Sequence, residues 1–183
     1  MVERRLIILT GPVGGGKSTV ARALARQLRA SGLQTAVLDL DLLYCMARQS
    51  DGFDDRPIWT TARRGAAALA DSFYRSGMSV VIVEGSFLDS QDLRELREAL
   101  TSGVNETFIA LQVSATAALW RAQGDPDPSR VVSRDAGVQK VLYAEFEKAL
   151  PFLRSVSRML AADEASPEEL ARSICESVLA DEC

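Results

Sequence analysis

The sequence GPVGGGKS at positions 11–18 fits the phosphate-binding pattern G-x-x-x-x-G-K-[ST]. An apolar run, Leu6–Leu9, precedes it, and an amphipathic helical pattern follows it. A strand that passes through a glycine-rich loop into a helix turns several backbone N–H groups toward one point, and the helix N-terminus adds partial positive charge. We therefore predict that this loop binds the phosphates of a nucleoside triphosphate.

The motif assigns a role to each part of the loop. Lys17 is expected to reach the β- and γ-phosphates, and the Ser18 hydroxyl is expected to coordinate Mg²⁺. An ordinary glycine-rich turn is the alternative, but the lysine and serine in register disfavour it. The predicted ATP-binding residues of the loop are Gly11, Pro12, Val13, Gly14, Gly15, Gly16, Lys17, Ser18 and Thr19.

Composition indicates one globular domain over residues 1–183, with 47% hydrophobic and 25% charged residues. The formal net charge is −4, and lysine and arginine are scattered, which disfavours non-specific nucleic-acid binding. No apolar stretch approaches the roughly 20 residues that span a bilayer, so we expect no membrane partner. The three cysteines are odd in number and lack metal-ligand spacing, which favours a reducing cytoplasm.

The chain contains no histidine, so a general base must be a carboxylate or a coordinated group. Apolar runs alternate with helical patterns, which predicts a three-layer α/β/α sandwich with a five-stranded parallel sheet. Strands are predicted near residues 4–10, 35–38, 79–83, 107–113 and 156–160. Helices are predicted after residue 17, over 58–75, from 89 or 90, through 120–121, over 138–150 and from 166. The run GDPDPS at 124–129 breaks this pattern, and we expect a lid segment over about 121–136.

Acidic residues follow two of the predicted strands. Asp39 and Asp41 follow the second strand and Glu84 the third, and ligands of open parallel sheets bind beyond these ends. A carboxylate there can hold Mg²⁺ or accept the proton of an attacking hydroxyl. Asp41 is the preferred base and a metal ligand, and the twofold period of a strand is expected to put Asp39 on the same side. The sequence leaves open which of the three acids is the base, and capping of a helix is the alternative role.

Two groups of arginines complete the candidate site. Arg121, Arg130 and Arg134 surround the Gly/Pro-rich break, where a mobile lid would bring arginines to the transferring phosphoryl group. We expect Arg121 and Arg134 to be catalytic and Arg121 and Arg130 to bind ATP; a solvated loop is the alternative. Near Phe53 and Trp59, a second group could clamp an anionic acceptor, or could be a solvated face and a core anchor. It comprises Arg56, Arg63 and Arg64.

Together these residues resemble the small P-loop kinases of metabolites and antibiotics, such as shikimate kinase, gluconate kinase, chloramphenicol phosphotransferase and adenylylsulfate kinase. In that group the acid after the second strand contacts the acceptor and often acts as base, which implies these roles for Asp41. Lid arginines lie against the phosphates, which implies this role for Arg121, Arg130 and Arg134.

One part of the chain resembles adenylylsulfate kinases in particular. VLDLD at 37–41 is similar to their V-L-D-G-D segment, and GF at 52–53, DR at 55–56 and RR at 63–64 are similar to motifs that follow it. The resemblance implies that Arg56 and Arg64 bind the acceptor. However, Leu40 and Leu42 replace a glycine and an asparagine, and the lid lacks the F-T-G-I-D stretch. We therefore expect a relative with a different acceptor.

The leading hypothesis is a kinase that uses ATP and Mg²⁺ to phosphorylate a hydroxyl of a small molecule. The residues predicted to bind the substrate are Asp39, Asp41, Arg56, Arg64 and Glu84. An adenylylsulfate kinase-like enzyme and a nucleotide or polynucleotide 5′-hydroxyl kinase are alternatives, although nucleic acid is disfavoured as a partner. A nucleotide-dependent binding switch is the non-enzymatic alternative. A guanine-specific switch would carry N-K-x-D, but Glu106 follows Asn105, which is the single asparagine. The sequence leaves open the acceptor and the oligomeric state.

Overall fold

The computed structural model describes residues 3–48, 55–125 and 134–180. Within them five parallel strands form one sheet in the order β2–β3–β1–β4–β5. This arrangement confirms the predicted three-layer fold with a five-stranded parallel sheet. The strands are β1 Arg5–Thr10, β2 Thr35–Asp39, β3 Val80–Glu84, β4 Asn105–Gln112 and β5 Arg158–Ala161.

Helices cover both faces of the sheet. Alternate residues of β1 show the division, because Ile7 and Leu9 pack with α1 and α7 while Leu6 and Ile8 pack with α3, α4 and α6. Burial on both faces explains why the inner strands are nearly continuous apolar runs. The helices are α1 Lys17–Ala30, α2 Leu40–Ala47, α3 Arg56–Arg75, α4 Ser90–Ala99, α5 Ala115–Gln123, α6 Ala136–Val156 and α7 Pro167–Ala180.

Side-chain caps fix where several helices begin. The Ser166 and Glu169 pair forms the predicted capping box of α7: the Ser166 amide donates to the Glu169 carboxylate at 2.8 Å, and the Glu169 amide donates to Ser166 Oγ at 3.2 Å. Asp55 caps α3, with Pro57 in its first turn, so that α3 begins two residues before the predicted position.

Helix α2 was not predicted, and it changes the geometry of the acidic segment. Asp39 ends β2 and caps α2, since its carboxylate accepts hydrogen bonds from the amides of Asp41 at 2.8 Å and Leu42 at 3.3 Å. Asp41 therefore lies in the first turn of a helix. Because the strand ends between them, the predicted twofold strand period does not relate Asp39 to Asp41, although the charges of both raise the pKa of Glu84.

Asp71 ties α3 to the connection between α4 and β4. Its carboxylate accepts hydrogen bonds from the Thr101 amide at 2.9 Å, the Thr101 hydroxyl at 2.6 Å and the Ser102 amide at 2.8 Å. Burial would raise the pKa of Asp71, but hydrogen bonds from Ser102 and Thr101 outweigh it and lower the pKa to about 2. This carboxylate is therefore charged at neutral pH and stabilises the connection.

Two further findings concern the predicted lid and membrane-spanning helices. Residues 126–133, which include residues 126–129 of the Gly/Pro-rich break and half of the predicted lid, lie outside the described part of the chain, as do Phe53 and Arg130. Among the described helices, none combines the length and the apolarity that crossing a bilayer requires.

Candidate active site

The glycine-rich loop lies between the end of β1 and α1, and two of its glycines have backbone angles that favour glycine. A Cβ on Gly14 would lie 2.1 Å from the carbonyl oxygen of Ala118, and φ at Gly14 is 77°. Gly16, the residue before α1, has φ 85°. Because side chains are strained at such φ values, the loop can follow this path only with glycine.

Lys17 folds back over the loop that precedes it. Its ammonium group donates to the carbonyl oxygens of Gly11 at 3.2 Å and Pro12 at 3.1 Å, and the residue is buried. The positive charge therefore lies directly above the loop backbone, at the N-terminus of α1. Both features attract phosphate groups.

Glu84 is the buried acid at the centre of the site. It ends β3 between Leu9 of β1 and Asp39 of β2 in the sheet register, and its exposure is only 2%. The Ser18 hydroxyl donates a hydrogen bond to it. Burial and then the charge of Asp39 raise the pKa of Glu84 to about 7, against the opposing charge of Lys17 and the bond from Ser18.

A cavity of about 610 Å³ opens beside the loop. Asp41 is exposed and lines it opposite the loop backbone, while Arg121 and Asp125 line it from α5 and its end. An apolar wall of the cavity comes from the start of α7 and the segment that leads into it. That wall consists of Ala165, Pro167 and Leu170.

Arg121 connects α5 to the segment between β5 and α7. Its Nη2 donates to the carbonyl oxygens of Ala162 at 2.7 Å and Asp163 at 3.0 Å. Asp163 in turn accepts bonds from the amide and hydroxyl of Ser114, which caps α5. Trp120, the residue before Arg121, is 75% exposed on the same helix.

The arginines of α3 lie in different environments. Arg56 donates to the Asp89 carboxylate at 3.1 Å and lies 3.6 Å from Asp92, and the hydrogen bond to Asp89 raises the pKa of Arg56. Arg63 is buried, and its guanidinium group lies 2.8 Å from Asp92 and 2.9 Å from Glu95. Arg64 lies on the exposed face of α3, together with Ala68 and Ser72.

The adenylylsulphate kinase family matches residues 3–128, from the start of β1 to beyond α5. The chain belongs to this family. The match confirms the predicted resemblance to P-loop kinases that act on small molecules, and it spans the loop, Asp39, Asp41, Glu84 and Arg121.

Relatives within and beside the family are kinases. The probable adenylyl-sulfate kinase of Bacillus subtilis is 36% identical over 106 residues, 57% of this chain, and the chain spans about half, 52%, of that relative. An adenylyl-sulfate kinase of Burkholderia ambifaria is 32% identical over 75% of this chain and 74% of that protein. The shikimate kinase of Shewanella frigidimarina is 30% identical over 97% of this chain and 99% of that protein.

Solved structures agree on the fold. A sugar kinase from Janibacter has a TM-score of 0.66 at 19% identity, covering 96% of this chain and 94% of its own. The adenylylsulfate (APS) kinase of Mycobacterium tuberculosis, in complex with AMPPNP and APS, has a TM-score of 0.62 at 17% identity, covering 98% and 99%. At these identities the likeness concerns the fold alone.

The structure brings several predicted site residues of this family member together and leaves others apart. Glu84, Asp39, Lys17 and Ser18 meet at the loop, and Asp41 and Arg121 line the adjoining cavity. Thr19 is exposed next to them, and Arg134, partly buried, directly precedes α6 with Asp135. The roles of all these residues stay predictions, including those of Arg130, Arg56 and Arg64.

The sequence analysis named Arg63 but missed the other residues that hold the connection after Glu84. Thr10 accepts a hydrogen bond from the Phe87 amide at 3.1 Å, and Asp92 accepts one from the Leu88 amide at 2.7 Å. Arg63 reaches the Ser86 carbonyl oxygen at 3.4 Å. The sequence did contain a signal for Asp92. It is the third residue of α4 and belongs to the capping box of that helix, and a second acid, Glu95, follows one turn later.

The oxygen atoms at the loop fit a magnesium ion. Ser18 Oγ and the Glu84 carboxylate are already in hydrogen-bonding contact, with Asp39 beside them. In the described ranges no group of three or more acidic, cysteine or histidine side chains is arranged around a metal site. Magnesium is commonly held by one or two carboxylates together with phosphate oxygens, which is what this donor set offers.

Proposed function

We propose that the chain transfers the γ-phosphoryl group of ATP to a hydroxyl group of a small molecule. The observation that carries the proposal is the meeting of Lys17 and Ser18 with the carboxylates of Glu84 and Asp39 at the glycine-rich loop. Phosphoryl transfer uses such a set: a positive group and a hydroxyl group for the phosphates, with acids beside them at neighbouring strand ends. Membership in a kinase family supports the same reaction.

ATP would bind with its phosphates on the loop. Backbone amides from Gly11 to Ser18 and the Lys17 ammonium group would hold the β- and γ-phosphates. The apolar wall of Ala165, Pro167 and Leu170 would contact the adenine base, because these residues line the same cavity as the loop.

Ser18 and a carboxylate would hold Mg²⁺ next to the phosphates. We predicted Asp41 as the carboxylate, and contact with Ser18 also makes Glu84 a candidate. When bound, the ion neutralises phosphate oxygens and so favours transfer.

Asp41 is the residue that we assign to the acceptor hydroxyl. Its carboxylate lines the cavity and is exposed, so it can accept a proton from a bound alcohol, whereas Glu84 is buried. Asp39 already accepts two amide hydrogen bonds at the start of α2, so it fits the role of orienting Asp41. Asp41 acts as base in this proposal, with Asp39 and Glu84 near the substrate.

Arginines would stabilise the charge that spreads over the transferring group. Arg121 uses Nη2 for the two carbonyl oxygens, and we assign its other nitrogens to the phosphates. Arg134, at the start of α6, would join it, and Arg130 would bind ATP from the predicted lid. An arginine in this role is worth ~10³–10⁵ in rate.

Phosphorylated product measured by mass spectrometry tests the proposal. The protein, ATP and Mg²⁺ are incubated with a panel of hydroxylated metabolites and with small-molecule cell extract. We expect product with the wild type and with Lys140→Ala, which removes an exposed lysine of α6, but none with Lys17→Ala. Release of ADP and phosphate alone would contradict the proposal and favour the nucleotide-dependent switch. Near-wild-type turnover by Asp41→Asn would move the base to Asp39 or Glu84.

Adenylylsulfate is a second candidate acceptor, because the family match is to adenylylsulphate kinases. The same assay with adenylylsulfate separates this candidate from others. Transfer to the 5′-hydroxyl of an oligonucleotide would instead support a polynucleotide kinase, which the net charge of −4 disfavours.

A further inference from the structure

We propose that Asp163 is a positioning residue for Arg121 and orients its guanidinium group toward the phosphates of the nucleotide. This inference rests on the proposed function and deepens it, because it names the group that fixes the direction of an arginine assigned to ATP. Asp163 lies in the segment between β5 and α7. It holds α5 at two points, at Ser114 through its side chain and at Arg121 through its carbonyl oxygen.

The carboxylate of Asp163 binds the start of α5. One oxygen, Oδ1, accepts hydrogen bonds from the Ser114 amide at 2.9 Å and from the Ser114 hydroxyl at 2.8 Å. These bonds lower the pKa of Asp163, so its carboxylate is ionised at neutral pH. Ser114 in turn caps α5, because its Oγ accepts a hydrogen bond from the Ala117 amide at 3.3 Å. Two charge-assisted bonds thus join the segment to the residue that begins the helix.

The main chain of the same segment binds the other end of α5. Arg121 Nη2 donates to the carbonyl oxygens of Ala162 at 2.7 Å and Asp163 at 3.0 Å. Arg121 lies about two helical turns after Ser114, so both residues face the same side of α5. The segment is therefore held against one face of the helix at both ends, and the guanidinium group cannot rotate without breaking one of its bonds.

Asp163 is the residue at which the sheet stops holding this segment. The buried Ala162 still donates its amide to the Gln112 carbonyl oxygen at 2.8 Å, next to the pairing of β4 with β5. Asp163 is exposed, and within the described ranges its hydrogen bonds are those with Ser114 and Arg121. The place of its carbonyl oxygen, and with it one of the two bonds that orient Arg121, therefore depends on the Asp163 side chain.

Arg121 carries this effect into the nucleotide cavity. It lines the cavity together with the glycine-rich loop, and the segment that follows Asp163 supplies the apolar wall from Ala165 onward. An arginine binds phosphate through N–H groups of fixed direction, so a residue that sets this direction contributes to binding without touching the ligand.

A double-mutant cycle measured by calorimetry with ATP and Mg²⁺ tests the inference. Asp163→Ala removes both bonds to Ser114, and we expect ATP to bind at least fivefold more weakly. In the Arg121→Ala background the same substitution should change the affinity less than twofold, because the group that Asp163 orients is already absent. Equal losses in both backgrounds would indicate a general structural role and overturn the inference, as would an unchanged affinity in Asp163→Ala.

Two further variants separate the hydrogen bonds from the charge. Asp163→Asn removes the charge but keeps one oxygen that can accept both bonds from Ser114, so its ATP affinity should stay within twofold of the wild type. The same loss in Asp163→Asn as in Asp163→Ala would assign the effect to charge and overturn the positioning role. Glu164→Ala is the matched control, since this neighbouring exposed side chain has no hydrogen bond or ion pair within the described part of the chain. It should bind ATP as the wild type does, and a fivefold loss there would also overturn the inference.

The binding assay and the product assay fail separately. If the wild type binds ATP but forms no phosphorylated product, the kinase proposal is wrong, while the cycle still confirms or overturns the role of Asp163. If product forms and the losses are equal in both backgrounds, the inference alone is wrong. Wild-type protein that binds no ATP overturns both.

Discussion

Replacing Glu84 by glutamine should make the stability of the nucleotide-free protein much less dependent on pH. Burial is the largest reason that the pKa of Glu84 rises from 4.5 to about 7. A raised carboxylate pKa means that the folded state holds the proton more tightly than the unfolded chain. Glu84 therefore contributes stability that is lost as pH rises from about 4.5 through about 7 and is absent above that range.

The size of the loss follows from the two pKa values. Each pKa unit corresponds to about 1.4 kcal/mol, so the full difference is about 3 kcal/mol. Between about pH 5.5 and pH 8 the part that remains is about 2 kcal/mol. Glutamine cannot ionise, so the variant should not lose this free energy and should be the more stable protein at the higher pH.

Urea unfolding of both proteins at about pH 5.5 and pH 8 measures the effect, with both buffers on the alkaline side of the pI of about 5.0. Phosphate, sulfate and nucleotides must be left out, because any anion that binds the loop adds its own stabilisation. Glu98→Gln, an exposed carboxylate change, is the control. If Glu84→Gln and the wild type lose the same free energy between the two pH values, the reasoning from burial is wrong.

Three other substitutions are informative. Gly14→Ala should weaken ATP binding at least tenfold in calorimetry, because its Cβ has no room, while Gly103→Ala, in open space, should not; equal affinities would contradict the loop geometry. Asp71→Asn should lower the unfolding free energy by about 1–2 kcal/mol at neutral pH, since the pKa of Asp71 is about 2. Urea titrations should show this gap closing as pH falls from about 4 toward 2, and a constant gap would contradict it. Arg63→Met should lower the unfolding free energy by about 3 kcal/mol in the same assay, because two buried carboxylates lose their partner. A decrease below about 1 kcal/mol would show that these carboxylates do not need the arginine.

The elements that could be predicted from sequence are those whose signal is local. Apolar runs such as Leu6–Leu9 and the β3 run indicated strands, since strands buried on both faces have little choice of side chain. Helix α2 was missed for a physical reason. Its eight residues follow a strand without a break, and Leu40 and Leu42 continue the apolar pattern, so the start of the helix depends on the Asp39 cap alone.

The candidate site also has a part that could be predicted from the sequence and a part that could not. The glycine-rich loop is contiguous, so its place between β1 and α1 could be predicted from the sequence, whereas the meeting of Asp39 and Glu84 depends on β2 pairing with β3. That strand order was not predictable from one sequence. The pairing of Arg63 with Asp92 and Glu95 joins residues about thirty positions apart, and a charged side chain gives no local sign that it will be buried with its partners.

The two tryptophans of the chain lie in unlike surroundings. Trp59 stacks on Tyr44, with ring centroids 4.2 Å apart, whereas Trp120 is 75% exposed beside Arg121. Intrinsic fluorescence can thus distinguish an exposed indole from a stacked one without a label. Quenching by iodide should reach the Trp120 emission before that of Trp59.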